Sequence, residues 1–193
     1  MTVRVSVNYN DYRWKRFDLT SKVRLLVSKT VQIHQISLSD LSLSILACSD
    51  TKIKELNKKY RKKNKVTNVL AWPAMRCFFY LDQDYQSYSK NNYLFLGDIA
   101  ISYERCSREA SSQKINFNIY CYKLLVHAIL HLLGYDHDIS VRTSRMQLME
   151  TRVLNSFLTN RPKFNKILLE FNFNVKVNCD KIFRRIVFYK KSH

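Results

Sequence analysis

The sequence predicts an α+β domain in which a small mixed β-sheet packs against helices. Two periodicities support this fold class: short segments alternate apolar and polar residues as strands do, and longer segments repeat apolar residues with the helical period. The 193 residues, of which 46% are hydrophobic and 13% aromatic, suffice for one domain with a proper core.

Strands and helices are predicted throughout the first 160 residues. The predicted strands are 3–7, 41–48, 66–72 (closed by Pro73) and 93–102 (interrupted at Gly97 and Asp98). The predicted helices are 19–35, Asp50 as N-cap to about Tyr60, Ser102 or Ser107 to about Gln113, 118–133 and 141–158. Residues 74–92 are rich in tyrosine and have no clear period, which predicts a long loop.

Three of the five histidines lie close together, at His127, His131 and His137. His127 and His131 are four residues apart and therefore share one face of the predicted helix. Gly134 is suited to end that helix with a left-handed turn, which allows His137 to approach the same point. Three imidazoles around one divalent ion leave a fourth position open, as in catalytic zinc sites. The apolar side of this helix is predicted to pack on the sheet and its histidine side to face a cleft.

The same histidine spacing occurs in metzincin proteases, whose motif is His-Glu-x-x-His-x-x-Gly-x-x-His. In this chain Ala128 stands at the position of their general base, and a methyl group accepts no proton. A metallopeptidase is therefore the less favoured alternative. Asp136, next to His137, either shapes the turn or orients a ligand imidazole and handles protons, and both interpretations stay open.

The formal net charge of +18 favours a polyanionic partner such as nucleic acid. Eight basic residues and one acid lie between Lys52 and Lys65. Arg61, within this run, could hold a phosphate with two hydrogen bonds. From charge alone, a solvated surface arginine is the simpler interpretation.

The five cysteines are widely spaced and form no Cys-x-x-Cys pair, which indicates a reducing compartment and predicts a cytoplasmic protein. We expect no signal peptide, and no apolar run approaches the roughly 20 residues that cross a bilayer. The composition changes after Pro162. We therefore predict a domain at 1–160 and a basic extension at 161–193, which contains a strand-like segment at 171–177.

Three segments, in order, resemble the bacterial YbeY family of metal-dependent rRNA maturation endoribonucleases (the UPF0054 type). The histidine segment is similar to its His-Gly-x-Leu-His-Leu-x-Gly-Tyr-Asp-His signature. Two further blocks are similar: Leu56-Asn57 to Tyr60-Arg61 with Thr67-Asn68-Val69-Leu70 and Pro73, and Leu96 to Ser102. Met146 and Glu150 also fit, and the resemblance covers about residues 3–158.

The resemblance implies a metalloprotease-like α+β fold that binds one zinc ion per chain through His127, His131 and His137. It implies a catalytic role for His127 and for Arg61, which matches the family's functionally important arginine. It further implies single-strand-specific cleavage in 16S rRNA 3′-end maturation and a part in ribosome quality control. A small-subunit ribosomal protein and an assembly GTPase are implied as partners, together with the rRNA precursor and the small ribosomal subunit, but no membrane.

The expected RNA contacts are the cations near the end of the second predicted helix: Lys58, Lys59, Arg61, Lys62, Lys63 and Lys65. The chain departs from the family at Ala128, where glycine is usual, and at Ala71-Trp72, where Ser-Phe is usual. An alternative is a ribosome-assembly factor that binds RNA and zinc without cleaving, in which the histidines stabilise the fold.

Overall fold

The computed structural model describes residues 1–36, 40–74, 93–136 and 140–158, with the backbone alone for Ser140 and Val141. The predicted extension at 161–193 lies outside these residues. So does nearly all of the predicted loop at 74–92.

Among the described residues, four strands form one mixed sheet in the order β1-β2-β4-β3. The strands are β1 (Thr2–Tyr9), β2 (Asp40–Cys48), β3 (Val69–Pro73) and β4 (Tyr93–Ser102). β1, β2 and β4 run parallel, whereas β3 pairs antiparallel with β4 and lies at an edge of the described sheet. The predicted α+β class with a small mixed sheet is therefore confirmed.

In the part of the chain that the structure describes, the α-helices that accompany the sheet are α1 (Leu19–Ile33), α2 (Asp50–Arg61), α3 (Tyr103–Ser112), α4 (Phe117–Leu132) and α5 (Ser140–Leu158). A short 3-10 helix, Tyr12–Phe17, was not predicted. It is held by Asp11, whose side chain accepts a hydrogen bond from the backbone of Arg13, and by the burial of Trp14.

The two faces of the sheet are covered differently. One face carries the main core, to which α1, α4 and α5 contribute, with Leu43, Ile99 and Leu125 among its buried residues. The other face carries a small cluster beneath α2 that includes Ile53 and Leu70. Successive strand residues point to opposite faces, so α2 and α4 lie on opposite sides of the sheet.

β4 is continuous but contains a β-bulge at Gly97, where the sequence predicted an interruption. Four residues of β4, Phe95 to Asp98, span the same register as three of β2, Ser42 to Ser44. Gly97 has φ +135°, and a Cβ there would lie 2.1 Å from the carbonyl oxygen of Trp72. Only glycine fits this position without moving β3.

One of the local predictions was wrong. The N-cap of α2 is Ser49, whose hydroxyl accepts from the backbone of Lys52, and Asp50 is the first helical residue. Pro73 does end β3, as predicted, although it still pairs with Gly97 as the last residue of the strand. Within the described residues, no helix is long and apolar enough to cross a membrane.

Candidate functional site

α4 carries two of the predicted metal ligands and ends where the sequence places its break. Its last turn closes with hydrogen bonds from the backbone of Gly134 to the carbonyl of His131 and from Tyr135 to Leu130. Gly134 has φ +88°, a left-handed conformation that glycine adopts at little cost. The chain therefore turns back toward the helix just before His137.

His127 and His131 lie one above the other, as their spacing predicts. Their Nε2 atoms are 2.8 Å apart, and their ring centroids are 4.3 Å apart at an interplanar angle of 85°. Each residue is 1% exposed. The prediction of a cleft-facing histidine side is wrong for these two residues, because every residue from Ile119 to Leu132 is buried and Glu150 of α5 covers His127.

Each imidazole is oriented through its other nitrogen. Nδ1 of His127 lies 2.6 Å from a carboxylate oxygen of Glu150, and Nδ1 of His131 lies 2.8 Å from the carbonyl oxygen of Tyr135. A carbonyl or ionised carboxylate oxygen can only accept, so each Nδ1 carries the proton and donates it. Both Nε2 atoms are then left with a lone pair, the tautomer that binds a metal.

This tautomer accounts for the chemistry of the pair. Two Nε2 lone pairs that face each other at 2.8 Å repel unless a cation or an additional proton lies between them. The donor set therefore fits a zinc ion, which prefers imidazole nitrogen. The third predicted ligand, His137, lies outside the described residues. Asp136 is half-buried and follows Tyr135 directly.

The turn after α4 is also held from α1. Nδ1 of His34 lies 2.7 Å from the carbonyl oxygen of Thr30 and therefore donates to it. Its Nε2, 2.7 Å from the phenolic oxygen of Tyr135, accepts that hydroxyl proton. Burial lowers the pKa of His34 below its usual value, which favours this neutral form. The side chain of Tyr135 thus contacts His34, the C-cap of α1, while its backbone carbonyl orients His131.

Arg61 is the last residue of α2, the helix that packs on the face of the sheet opposite α4. Its guanidinium is half-buried, and burial lowers its pKa. Nη2 is buried and makes no hydrogen bond within the described part of the chain. A buried guanidinium nitrogen without a partner is costly, so it indicates a position kept for binding an anion rather than for stability. No hydrogen bond among the described residues joins Arg61 to either histidine.

The predicted RNA-contacting lysines surround this arginine. Lys58, Lys59, Lys62, Lys63 and Lys65 are all exposed. Lys58 and Lys59 lie on α2, and the loop that carries the other three is shaped by Asn57, whose buried amide donates to the carbonyl of Lys65 at 2.7 Å. The charge of Arg61 lowers the pKa of Lys63, so the two cations lie close together. The geometry suits binding of a polyanion.

Two structural contributors were missed by sequence reasoning. Glu150 was noted only as fitting the family, although it stands on the apolar side of α5 between Met146 and Val153. A carboxylate on a buried stripe needs a partner, and that signal could have led to His127. His34 gave no comparable signal, since it is a single histidine at the end of a helix.

The fold and these residues define a class: a small α+β domain with a buried imidazole pair on a helix that covers one face of its sheet, and with a cation-rich C-terminal end on the helix that covers the other face. A profile of the family Endoribonuclease YbeY matches residues 6–158. The chain belongs to that family. The family match confirms the predicted enzyme class, an endoribonuclease.

Individual relatives agree with this assignment. The chain is similar to Endoribonuclease YbeY of Ruegeria sp. strain TM1040, with 35% identity over 150 residues, covering 76% of this chain and 86% of the relative. It is also similar to Endoribonuclease YbeY of Paracoccus denitrificans, with 35% identity over 150 residues, covering 78% and 84%. The solution structure of TM1509 from Thermotoga maritima shares the fold, with a TM-score of 0.54 at 19% identity, covering 85% of this chain and 94% of that one.

Proposed function

We propose that this protein is a zinc-dependent, single-strand-specific endoribonuclease that acts in 16S rRNA 3′-end maturation and ribosome quality control in the cytoplasm. The observation that carries the proposal is the histidine pair. Both Nδ1 atoms are held by acceptors and both Nε2 atoms face one point 2.8 Å apart. Family membership over residues 6–158 supplies RNA cleavage as the reaction.

In this proposal His127, His131 and His137 hold the zinc ion. When bound, zinc polarises a phosphoryl oxygen and makes hydroxide available near neutral pH. Glu150 keeps the proton of His127 on Nδ1, and the Tyr135 carbonyl does the same for His131. The two side chains therefore present nitrogen lone pairs without reorganisation when the metal binds.

Arg61 is proposed to bind the scissile phosphate. Its planar guanidinium can donate two hydrogen bonds to phosphate oxygens and balance the charge that develops as phosphorus becomes five-coordinate. The exposed lysines on either side hold the flanking phosphates. This arrangement predicts that RNA affinity falls steeply with salt, because each phosphate contact releases counterions.

The substrate is proposed to be a single strand of an rRNA precursor on the small ribosomal subunit. A net charge of +18 is suited to such a polyanionic assembly. Contacts with a small-subunit ribosomal protein and an assembly GTPase belong to the same proposal.

A single-strand substrate can be tested with one RNA in two forms. Wild-type protein is incubated with a 16S rRNA 3′-precursor fragment, alone or annealed to its complement. We expect cleavage of the single strand only, its loss with a chelator, and its recovery with added zinc. Arg16→Gln, which removes one exposed positive charge elsewhere, should cleave like wild type. Cleavage that persists in chelator would contradict the metal dependence.

A second function deserves a test because His127 and His131 are each 1% exposed. Such burial also suits a metal that stabilises the fold of an RNA-binding assembly factor without cleaving. In that case removal of the metal lowers the melting temperature sharply and no cleavage accompanies RNA binding. A metallopeptidase is less favoured, because Ala128 is buried and supplies no carboxylate.

A further inference from the structure

A chain of hydrogen bonds runs from α4 to α2 around the end of the sheet. It links the two helices that carry the proposed active-site residues, although these helices pack on opposite faces of the sheet. Its members, taken from α4 to α2, are Tyr120, Glu109, Asn68, Ser102 and Asp50. The metal site and the phosphate contacts proposed above use none of these residues.

The first half of this chain ties Asn68 to the histidine-bearing helix. The hydroxyl of Tyr120 donates to a carboxylate oxygen of Glu109 at 2.5 Å, and burial raises the pKa of Tyr120, so the hydroxyl keeps its proton. The amide of Asn68 donates to the same carboxylate oxygen at 2.9 Å and lies 3.3 Å from the hydroxyl oxygen. Tyr120 precedes His127 by two turns on the same side of α4.

The second half of the chain ties Asn68 to α2. The backbone carbonyl of Asn68 accepts from the amide of Ser102 at 2.9 Å. The hydroxyl of Ser102 donates at 2.5 Å to Asp50, the first residue of α2. At the other end of α2, residues 62–67 alone separate Arg61 from Asn68. The position of Asn68 therefore bears on the placement of α2, and with it on that of Arg61.

Asn68 joins the two halves of the chain. It is 3% exposed, and both polar groups of its side chain have partners. The amide nitrogen donates to Glu109, and the amide oxygen accepts from the backbone of Val69 at 2.8 Å. Asparagine suits this position because it donates on one side and accepts on the other, whereas a carboxylate of the same size can only accept. A buried network in which every group is satisfied holds one geometry.

The strand that follows Asn68 contacts both helices. Val69 and Ala71 of β3 join the main core, on the side of α4, whereas Leu70 joins the cluster beneath α2. A change in the position at which β3 begins would therefore move the two helices relative to each other.

We propose that Asn68 is a positioning residue, which holds Arg61 in register with the histidine pair so that one RNA strand meets both. The inference rests on the proposed function, in which Arg61 binds the scissile phosphate and His127 and His131 hold the zinc ion. Small displacements of groups that act on one reacting centre lower the rate strongly. In this role Asn68 contacts neither the RNA nor the metal and acts through the placement of Arg61.

The first test measures binding without cleavage. A labelled 2′-O-methyl single-stranded RNA is titrated with full-length protein by fluorescence anisotropy, once with zinc and once with a chelator, and a gel checks that the RNA stays intact. In wild type we expect zinc to tighten binding about ten-fold, within the usual range for two coupled sites. Folded Asn68→Asp should still bind the RNA without zinc, but it should lose the gain in affinity that zinc gives.

Asn64→Asp is the matched control. Asn64 is exposed in the loop between α2 and β3, so this substitution makes the same change of charge outside the hydrogen-bond chain. Both variants should lose a little RNA affinity from the added negative charge. Asn64→Asp should keep the gain in affinity with zinc. An undiminished gain in folded Asn68→Asp, or no gain in wild type, would overturn the inference.

A second variant covers the case in which Asn68→Asp does not fold. Tyr120→Phe keeps the ring and removes the hydroxyl that joins α4 to Glu109. It should lower the gain in affinity with zinc in part, since Asn68 retains its bond to Glu109. Zinc affinity itself, measured by competition with a chromogenic chelator, should match that of wild type in both variants. A full gain in Tyr120→Phe beside an unfolded Asn68→Asp would contradict the proposed link.

Cleavage kinetics separate positioning from a merely structural role. Asn68→Asp should lower kcat about ten-fold with KM unchanged, because the RNA still binds and the alignment is lost. Added to Arg61→Gln, it should lower kcat no further, since its effect acts through Arg61. An equal loss with and without Arg61 would mean that Asn68 only stabilises the fold, and the inference would fall. If wild type shows the gain in affinity but no cleavage, the proposed function fails and the coupling through Asn68 stands.

Discussion

Glu150 of α5 accepts a hydrogen bond from Nδ1 of His127 of α4, at 2.6 Å. Both residues are buried, so the carboxylate and the imidazole stabilise each other in a site that largely excludes water. The contact fixes the tautomer of His127 and directs its Nε2 toward that of His131. Glu150, which follows His127 by 23 positions in the chain, thereby determines whether α4 presents a nitrogen that can bind a metal.

Removing the Glu150 charge should weaken metal binding. Glu150→Gln can still accept from Nδ1, but it loses the negative charge that makes the imidazole a better ligand. We expect zinc affinity to fall about 10-fold, and up to about 100-fold in Glu150→Ala, measured by competition with a chromogenic chelator. Glu55→Gln, an exposed carboxylate on α2, is the control. Equal affinities in wild type and both Glu150 variants would mean that the contact is not part of a metal site.

The contact between His34 and Tyr135 should be measurable as a coupling energy. Tyr135→Phe keeps the packed ring but leaves Nε2 of half-buried His34 without its donor, which we expect to cost about 1 kcal/mol in the free energy of unfolding. The double variant, Tyr135→Phe with His34→Phe, should lose less free energy of unfolding than the two single variants lose together. Denaturant unfolding of the four proteins tests this cycle, and strictly additive losses would contradict the contact.

Arg61 should contribute to cleavage and not to stability. Arg61→Gln removes a cation whose buried Nη2 has no hydrogen bond within the described residues, so the melting temperature should stay the same or rise. Cleavage of single-stranded RNA should fall roughly 100-fold, as for loss of a group that stabilises transition-state charge. Arg16→Gln makes the same charge change at an exposed position, and it should lower neither the melting temperature nor the cleavage of RNA. A destabilised Arg61→Gln protein would indicate a structural role instead.

The bulge in β4 should tolerate no side chain at Gly97. Gly97→Ala places a methyl group 2.1 Å from the carbonyl oxygen of Trp72 at φ +135°, so β3 must move. We expect a loss of about 2 kcal/mol or more in the free energy of unfolding, measured by thermal or denaturant unfolding. An unchanged melting temperature would show that β3 shifts freely.

The parts of the fold that depend on periodicity were predictable from the sequence. Alternation predicted β1 and β2 and the helical period predicted α4, because burial on one face imposes those repeats. Gly134 predicted the end of α4, since few residues adopt its left-handed conformation. The cap at Ser49 was missed because Ser49 and Asp50 are both good caps and stand side by side.

The remainder of the candidate site depends on contacts between distant segments. Glu150 reaches His127 across a helix pair, and His34 reaches Tyr135 from 101 positions away, which no local pattern encodes. Sequence reasoning supplied the residues of the proposed metal site, whereas the structure supplied the groups that orient the two described histidines.

The most direct test of the central claim compares wild type with His127→Ala on a 16S rRNA 3′-precursor fragment. Both proteins are purified side by side, and circular dichroism checks that the variant is folded. We predict that wild type cleaves the fragment and that folded His127→Ala does not, because the imidazole pair is broken. Equal cleavage by both proteins would contradict the account, since the activity would then come from elsewhere than this site.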